Sequence, residues 1–324
     1  MPMVLEKIEE LFLLKEKGET IVPDKISLRW GGAESEFVKG RINAMPGYVG
    51  GNVDMAGIKW IGSKPQNPAR FKMPRASALT ILNDPETGFP VAIMDGTVIS
   101  AMRTGAATGV AAKYLARKNS RVLTLIGAGT QNHAQMMAVC CAVPSVEEVR
   151  LADISQQRAE SFAAEAKNEV SNVKFSVFTD ACEASRGADI IVSATTSPTP
   201  IVSRKWIDDG TFIANVGNYE FEYDVVRAAG KIVTDDWQAV FHRGVQTLAR
   251  MHLDGLLSSE DIYANIGEIV SGMKPGRESD DEIIFYNPVG MGTEDIIVAK
   301  EIYFRAKQLN KGTVLNLWTK PKWI

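Results

Sequence analysis

The chain has 324 residues, 45% of them hydrophobic and 23% charged, with a formal net charge of −3. That length exceeds one ordinary domain and allows a sizeable core, as in a soluble globular protein. The charge balance argues against nucleic-acid or anionic-membrane partners, and no apolar run approaches the length of a membrane span.

Residues 1–19 are studded with Glu and Lys, unlike a secretory signal. Val4, Leu5, Ile8, Leu11 and Phe12 recur there at helical spacing, which predicts an amphipathic first helix. Residues 21–30, 40–51, 57–61, 78–82 and 89–94 read as strands, and Asn83-Asp84-Pro85-Glu86-Thr87-Gly88 supplies turn chemistry between the last two. Strands that follow one another without long helices predict a mostly antiparallel or mixed layer. Residues 100–117, SAMRTGAATGVAAKYLAR, form a small-residue helix able to approach a sheet or a neighbouring domain closely. Lys118-Asn119-Ser120 is a polar connection and the first domain boundary.

Residues 121–153 carry the main motif. The apolar run from Val122 to Ile126 reads as a strand buried on both faces. Gly127 permits a tight turn, and Gly129 lets backbone N–H groups approach a pyrophosphate. A helix over 131–141 aims its N-terminus at that phosphate, and a second strand over 149–152 ends at Asp153, placed for a ribose hydroxyl pair. The third glycine of the usual fingerprint is missing, because position 132 is Asn132. Beyond Asp153 the strand–helix alternation continues, with strands at 173–177, 188–194, 211–216, 231–234 and 282–286, and a long last helix at 293–311. That pattern predicts a Rossmann-type doubly wound sheet, joined to a mixed-sheet α+β domain.

Dinucleotide binding narrows the chemistry to hydride transfer, so the protein must orient the substrate and move protons. Arg41, Lys59 and Arg103 are the candidate groups. Arg103 falls in the first turn of the predicted small-residue helix, where the dipole disfavours a cation unless an anion offsets it. A substrate carboxylate would do so, as would a structural acid. Three cysteines, Cys140, Cys141 and Cys182, make neither a disulfide framework nor a zinc spacing, which predicts a reducing cytoplasm. His133, His242 and His252 show no paired-ligand spacing, so no metal is expected, and nucleophile-elbow and Walker motifs are absent from the sequence.

The segments INAMPGYVGG, AGIKWIG, PRASALTILNDPETGFPVAIMDG, ISAMRTGAATGVAAKYLAR, LIGAGTQ and IIFYNPVGMGTEDI resemble the ornithine cyclodeaminase/mu-crystallin family along nearly the whole chain. The resemblance implies a substrate-binding and dimerisation domain at 1–117, completed by 296–324, and an NAD-binding domain at 118–295. It implies an NAD-dependent enzyme acting on an amino-acid C–N bond through an imine, assembled as a homodimer. By position, Arg41, Lys59, Arg75 and Arg103 would face the substrate, with Lys59, Arg103 and Asn218 catalytic. Thr104, Gly127, Gly129, Thr130, Gln131, Asp153, Ile154, Arg158, Thr195, Thr196 and Gly290 would surround the cofactor, and Asp153 favours NAD over its 2′-phosphorylated form. Ornithine cyclodeaminases carry an Asp where this chain has the neutral Asn218, so cyclisation of ornithine is in question. GIKWI, PRASA and LNDPETG are similar to the branch that includes N-(2-amino-2-carboxyethyl)-L-glutamate dehydrogenases, which release 2,3-diaminopropionate for siderophore or antibiotic pathways. For such a polycarboxylate, Lys64, Arg70, Lys72 and Arg75 form a basic loop near Lys59; the other reading of that loop is a solvated turn. Ornithine or lysine cyclodeaminase, alanine-dehydrogenase-like and imine reductase activities stay open, as does a non-enzymatic mu-crystallin-like binder.

Overall fold

The amphipathic repeat at the start forms α1 (Pro2–Glu16), which buries Val4, Ile8, Leu11, Phe12 and Leu14. The computed structural model describes residues 1–31 and 40–321. After α1 come β1 (Thr20–Ile21), β2 (Ile26–Trp30), β3 (Gly40–Val49), β4 (Met55–Ser63), a short α2 (Asn67–Phe71), β5 (Ala76–Asn83) and β6 (Pro90–Asp95). They form one sheet in the order β1-β3-β4-β5-β6, with β2 also paired to β3. Every described pairing is antiparallel, so of the two arrangements open to the sequence this layer takes the antiparallel one. The β5–β6 turn is fixed by Asp84, whose Oδ1 accepts hydrogen bonds from both the backbone and the hydroxyl of Thr87.

α3 (Thr97–Leu115) begins earlier than the sequence suggests, because Asp95 Oδ1 accepts the Thr97 N–H at 2.8 Å. Arg103 is therefore the seventh helical residue, in the second turn, and the helix-start argument for an anion at Arg103 does not hold.

The second layer runs β7 (Val122–Ile126), α4 (Thr130–Ala142), β8 (Glu148–Ala152), α5 (Gln156–Ala166), β9 (Lys174–Phe178), α6 (Ala181–Ser185), β10 (Ile190–Ser193) and β11 (Phe212–Asn215). Then follow α7 (Tyr223–Arg227), β12 (Lys231–Thr234), α8 (Trp237–Arg243), α9 (Thr247–Leu253), β13 (Ala264–Asn265), α10 (Ile266–Val270), β14 (Ile284–Asn287) and α11 (Gly292–Gln308). The strands pair in parallel in the order β13-β12-β14-β11-β10-β7-β8-β9. The order reverses between β7 and β10, and that reversal opens a crevice at their carboxyl ends. β13 and the helices α7 to α10 are too short to carry a periodic signal, although Asn265 and Glu268 form a capping box at α10.

Close helix packing locks the layers together. A Cβ on Gly105 would lie 2.3 Å from Ala134 O, and one on Gly109 would lie 2.9 Å from Ala138 O, so α3 meets α4 backbone to backbone. One apolar core then runs from α1 through α3 and Leu82 to Leu123 and Ile296. α11 lies on the antiparallel sheet: Thr293 and Ile296 fill the space above Gly47 and Gly57, and Gly292 abuts Met45 O. The predicted range 293–311 starts one residue inside this helix and runs three beyond its end, and residues 322–324 of the sequence reading lie outside the described residues. Register places Ile26, Leu28, Trp60, Leu79 and Ile93 on the opposite face of the sheet, where all five are exposed. Among the described residues no helix is long and apolar enough to cross a membrane.

Gly105→Ala should lower stability by about 1–3 kcal/mol, because the overlap with a backbone oxygen outweighs the gain of about 1 kcal/mol in helix propensity. Gly62→Ala, whose Cβ would meet nothing within 4 Å, is the control. Thermal unfolding of the two variants checks this; equal melting temperatures would contradict the packing account.

Candidate functional site

Strand alternation builds the floor of a cavity of ≈ 280 Å³. Ser27 and Arg29 from β2, Arg41, Asn43 and Met45 from β3, and Lys59, Ile61 and Ser63 from β4 share one face and all line it. The walls are Ser100, Arg103 and Thr104 of α3, Gln131 of α4, Ala194 and Thr195 after β10, and Gly217 and Asn218 after β11. Arg243 at the end of α8, Pro288 to Gly290 after β14 and Glu294 of α11 close the ring.

The centre is a buried charge cluster. Lys59 Nζ donates to Asp295 Oδ2 at 2.7 Å and to Ser100 Oγ at 3.2 Å. Burial, aided by the nearby Arg103 charge, pushes its amine down to about 8. Arg103 donates through Nη1 to Glu294 Oε2 at 2.5 Å and through Nε to Asp295 Oδ1 at 3.3 Å. Burial works against the Arg103 charge, and Asp295 and Glu294 more than reverse it. Protein acids thus already balance Arg103, and Nη2 is the nitrogen not engaged by them. Burial raises the Glu294 carboxyl despite Arg103. Its Oε1 is a buried acceptor without a partner among the described residues. The TEDI segment showed these acids in the sequence, but nothing there tied them to Lys59 or Arg103, more than 190 residues away.

Two further carboxylates shape the rim. Asp235 accepts the N–H groups of Val289 and Gly290, at 2.8 and 2.6 Å, while Lys25 donates to both carbonyls of the same pair. Burial, with Arg243 and Arg103 adding to it, pushes Lys25 down to about 7. Glu220 accepts from Thr195 N, Asn215 Nδ2 and Gly217 N, tying together the loops after β10 and β11. Gly290, at φ +73°, leaves no room for a Cβ beside Arg103 Nη1.

At the switch point Gly127 takes φ +99°, and a Cβ there would meet Ala194 O at 3.0 Å. Gly129 caps α4 and faces open space, so no side chain stands over the backbone N–H groups at the start of that helix. Asn132 compensates for the missing glycine: buried, it donates to the carbonyls of Ile126 and Gly127 and staples the turn. Asp153 Oδ2 accepts Ala128 N–H and Oδ1 accepts Ser155 N–H, both at 2.8 Å, with lone pairs remaining for ribose hydroxyls. Thr130 and the exposed Ile154 and Arg158 sit around this turn, outside the cavity lining.

The sequence-predicted residues therefore divide into two groups. Arg41, Lys59, Arg75, Arg103, Thr104, Gln131, Thr195, Asn218 and Gly290 meet in the cavity, whereas Gly127, Gly129, Thr130, Asp153, Ile154 and Arg158 gather at the turn. Thr196 is exposed beside Thr195 and does not line the cavity. Of the basic loop only Arg75 reaches the cavity; Lys64 and Arg70 flank the Phe71 ring instead. Asn218 Oδ1 accepts from Arg243 Nη2 at 3.2 Å. Sequence reasoning missed Lys25, Arg29, Arg243 and Glu294. None of the four carries a sequence signal tying it to the site: Arg29 stands out only once register sets it directly opposite Arg41, a like-charge pair that a sheet disfavours.

Comparisons with known proteins accord with this geometry. The N-((2S)-2-amino-2-carboxyethyl)-L-glutamate dehydrogenase of Staphylococcus aureus is 38% identical over 285 residues, covering 88% of this chain and 84% of its own length. The alanine dehydrogenase of Archaeoglobus fulgidus is 38% identical over 323 residues, covering 98% and 94%. The Thermococcus litoralis Delta(1)-pyrroline-2-carboxylate reductase, solved with NADH and L-proline, superposes with a TM-score of 0.89 at 36% identity, over 96% of this chain and 95% of that one. The ornithine cyclodeaminase/mu-crystallin family model matches residues 3–310, and with relatives this similar over most of their length, the chain belongs to that family.

Proposed function

We propose that the chain is an NAD-dependent oxidoreductase that oxidises the C–N bond of an amino-acid conjugate through an imine, with N-(2-amino-2-carboxyethyl)-L-glutamate as the substrate that best matches its cavity. The observation that carries this reading is the cavity's charge. Seven cationic side chains line it against one lining carboxylate, Glu294, among the described residues. NAD is the cofactor and would accept the hydride when bound; the turn at Gly127 and Gly129 would hold its pyrophosphate and Asp153 its ribose hydroxyls.

The residues of the chain do the rest. Arg103 Nη2 and Arg41 hold the α-carboxylate and so fix the Cα–H toward the crevice. Lys59, its ammonium weakened by burial, takes the amine proton as the C=N bond forms. Glu294 Oε1 offers an acceptor to the substrate N–H. Water then adds to the imine, and the conjugate separates into 2-oxoglutarate and 2,3-diaminopropionate. Thr195, held by Glu220, and Gly290, held by Asp235, line the crevice and would contact the nicotinamide when the cofactor binds. In this reading the substrate layer is 1–117 with α11, the cofactor layer is 118–291 because the boundary expected at 295 falls inside α11, and the protein works in the cytoplasm.

Three assays at 340 nm test the reaction: N-(2-amino-2-carboxyethyl)-L-glutamate with NAD, L-alanine with NAD, and Δ1-pyrroline-2-carboxylate with NADH. The conjugate should be turned over with the highest kcat/KM. A lead for either other compound would replace the substrate but keep the chemistry. No absorbance change in all three would overturn the oxidoreductase reading.

The oxidative kcat/KM should rise with pH and level off above about 8, because only the neutral Lys59 amine can accept a proton. Below that value it should fall about ten-fold per pH unit, and Lys59→Met should abolish the limb along with most of the rate. An unchanged limb in Lys59→Met would take the proton-accepting role away from Lys59.

The exposed apolar face of the antiparallel sheet calls for a second copy, which also covers its edge strands. Light scattering should give a dimer for the wild type and a monomer for Trp60→Glu. A wild-type monomer at micromolar concentration would contradict this assembly.

A further inference from the structure

Arg243 has no place in the reaction as described, yet its position is unusual. It ends α8, a site that favours a cation on dipole grounds alone, but its side chain turns into the cavity instead of into solvent. There the described residues give it one hydrogen bond, from Nη2 to the neutral Asn218 Oδ1, and no carboxylate within ion-pairing distance. Burial, with repulsion from Arg41 and Arg29, pulls its guanidinium down to about 10 despite the opposing attraction of the more distant Asp235 and Glu220. Lys59 and Arg103, by contrast, each have an acid partner. A guanidinium that lines the cavity beside other guanidiniums and bonds only a neutral amide among the described residues has the chemistry to take a carboxylate.

We infer that Arg243, steadied by Asn218, is the specificity-determining residue that receives a second carboxylate of the substrate, at the end of the molecule away from the α-carboxylate. This deepens the proposed function and rests on it: the α-carboxylate is taken to lie at Arg103 and Arg41. Two consequences follow from charge alone. Substrates with a distal anion gain a charge-assisted hydrogen bond here, and substrates with a distal ammonium meet repulsion. Diamino acids are thereby disfavoured at the same place where dicarboxylates are selected.

The test is equilibrium binding to the NADH-loaded protein, using two keto acids of equal chain length, 2-oxoglutarate and 2-oxovalerate, which differ in the distal carboxylate. Binding does not depend on which substrate the enzyme turns over. The wild type should bind 2-oxoglutarate more tightly. Arg243→Gln should weaken 2-oxoglutarate about ten- to a hundred-fold while changing 2-oxovalerate less than about two-fold. Arg243→Lys, which keeps the charge but not the fork, should recover part of the loss. A melting curve on each variant confirms folding. Equal weakening of both keto acids would make Arg243 a structural pin for the Asn218 loop and overturn the inference, as would no weakening of either. A wild type that binds 2-oxovalerate but does not prefer 2-oxoglutarate overturns the inference and leaves the proposed function standing. A wild type that binds neither overturns the α-carboxylate assignment and the inference with it.

Discussion

Lys59, Arg103, Glu294 and Asp295 bring two positive and two negative charges out of water into one hydrogen-bonded cluster, where three segments distant in sequence meet. Such a cluster contributes little net stability, since desolvation offsets most of the attraction, but losing one member leaves an uncompensated charge at a cost of about 3–5 kcal/mol. The geometry of the site follows from it. β4 supplies the lysine, α3 the arginine and α11 both acids, so sheet, connecting helix and final helix can sit in only one relation. Because α3 also touches α4 at Gly105 and Gly109, the position of Arg103 is set relative to the phosphate turn.

The parts of this fold legible in the sequence are those with a local cause. Val122 to Asp153 announced itself because strand, glycine turn, helix and terminal acid are written consecutively, and the small-residue helix because Gly105 and Gly109 leave a visible composition. The alternating strands were legible for the same reason. The start of α3 is not legible in composition, because it is marked by the Asp95 carboxylate accepting the Thr97 N–H. The dipole argument for Arg103 then failed, and the anion it called for turned out to be Glu294 and Asp295.

The functional cavity was legible only where identity could be read by position, as for Arg41, Lys59 and Arg103. Lys25 and Arg243 were not, because each becomes notable only through neighbours that the fold brings from elsewhere. Lys25 bonds carbonyls 264 and 265 residues further along. Asn132 illustrates the converse. It broke a glycine pattern and weakened the motif, yet its amide performs the turn-fixing task by hydrogen bonding to Ile126 and Gly127. The basic loop from Lys64 to Arg75 was conspicuous as a run of charge, and most of it is a solvated turn packed around Phe71.

The origin of the two acids in α11 bears on how the chain is made. Domains emerging from the ribosome tend to fold N-terminal first, at roughly 5–20 residues per second. Here the antiparallel sheet appears early, but the acids that neutralise Lys59 and Arg103 and the helix that covers Gly47 and Gly57 come from residues 292–308. Until those residues are synthesised, Lys59 on the sheet and Arg103 on α3 lack their acid partners, and Gly47 and Gly57 lack the helix that covers them. The antiparallel layer therefore closes last although its strands are made first, since the helix that completes it is written at residues 292–308.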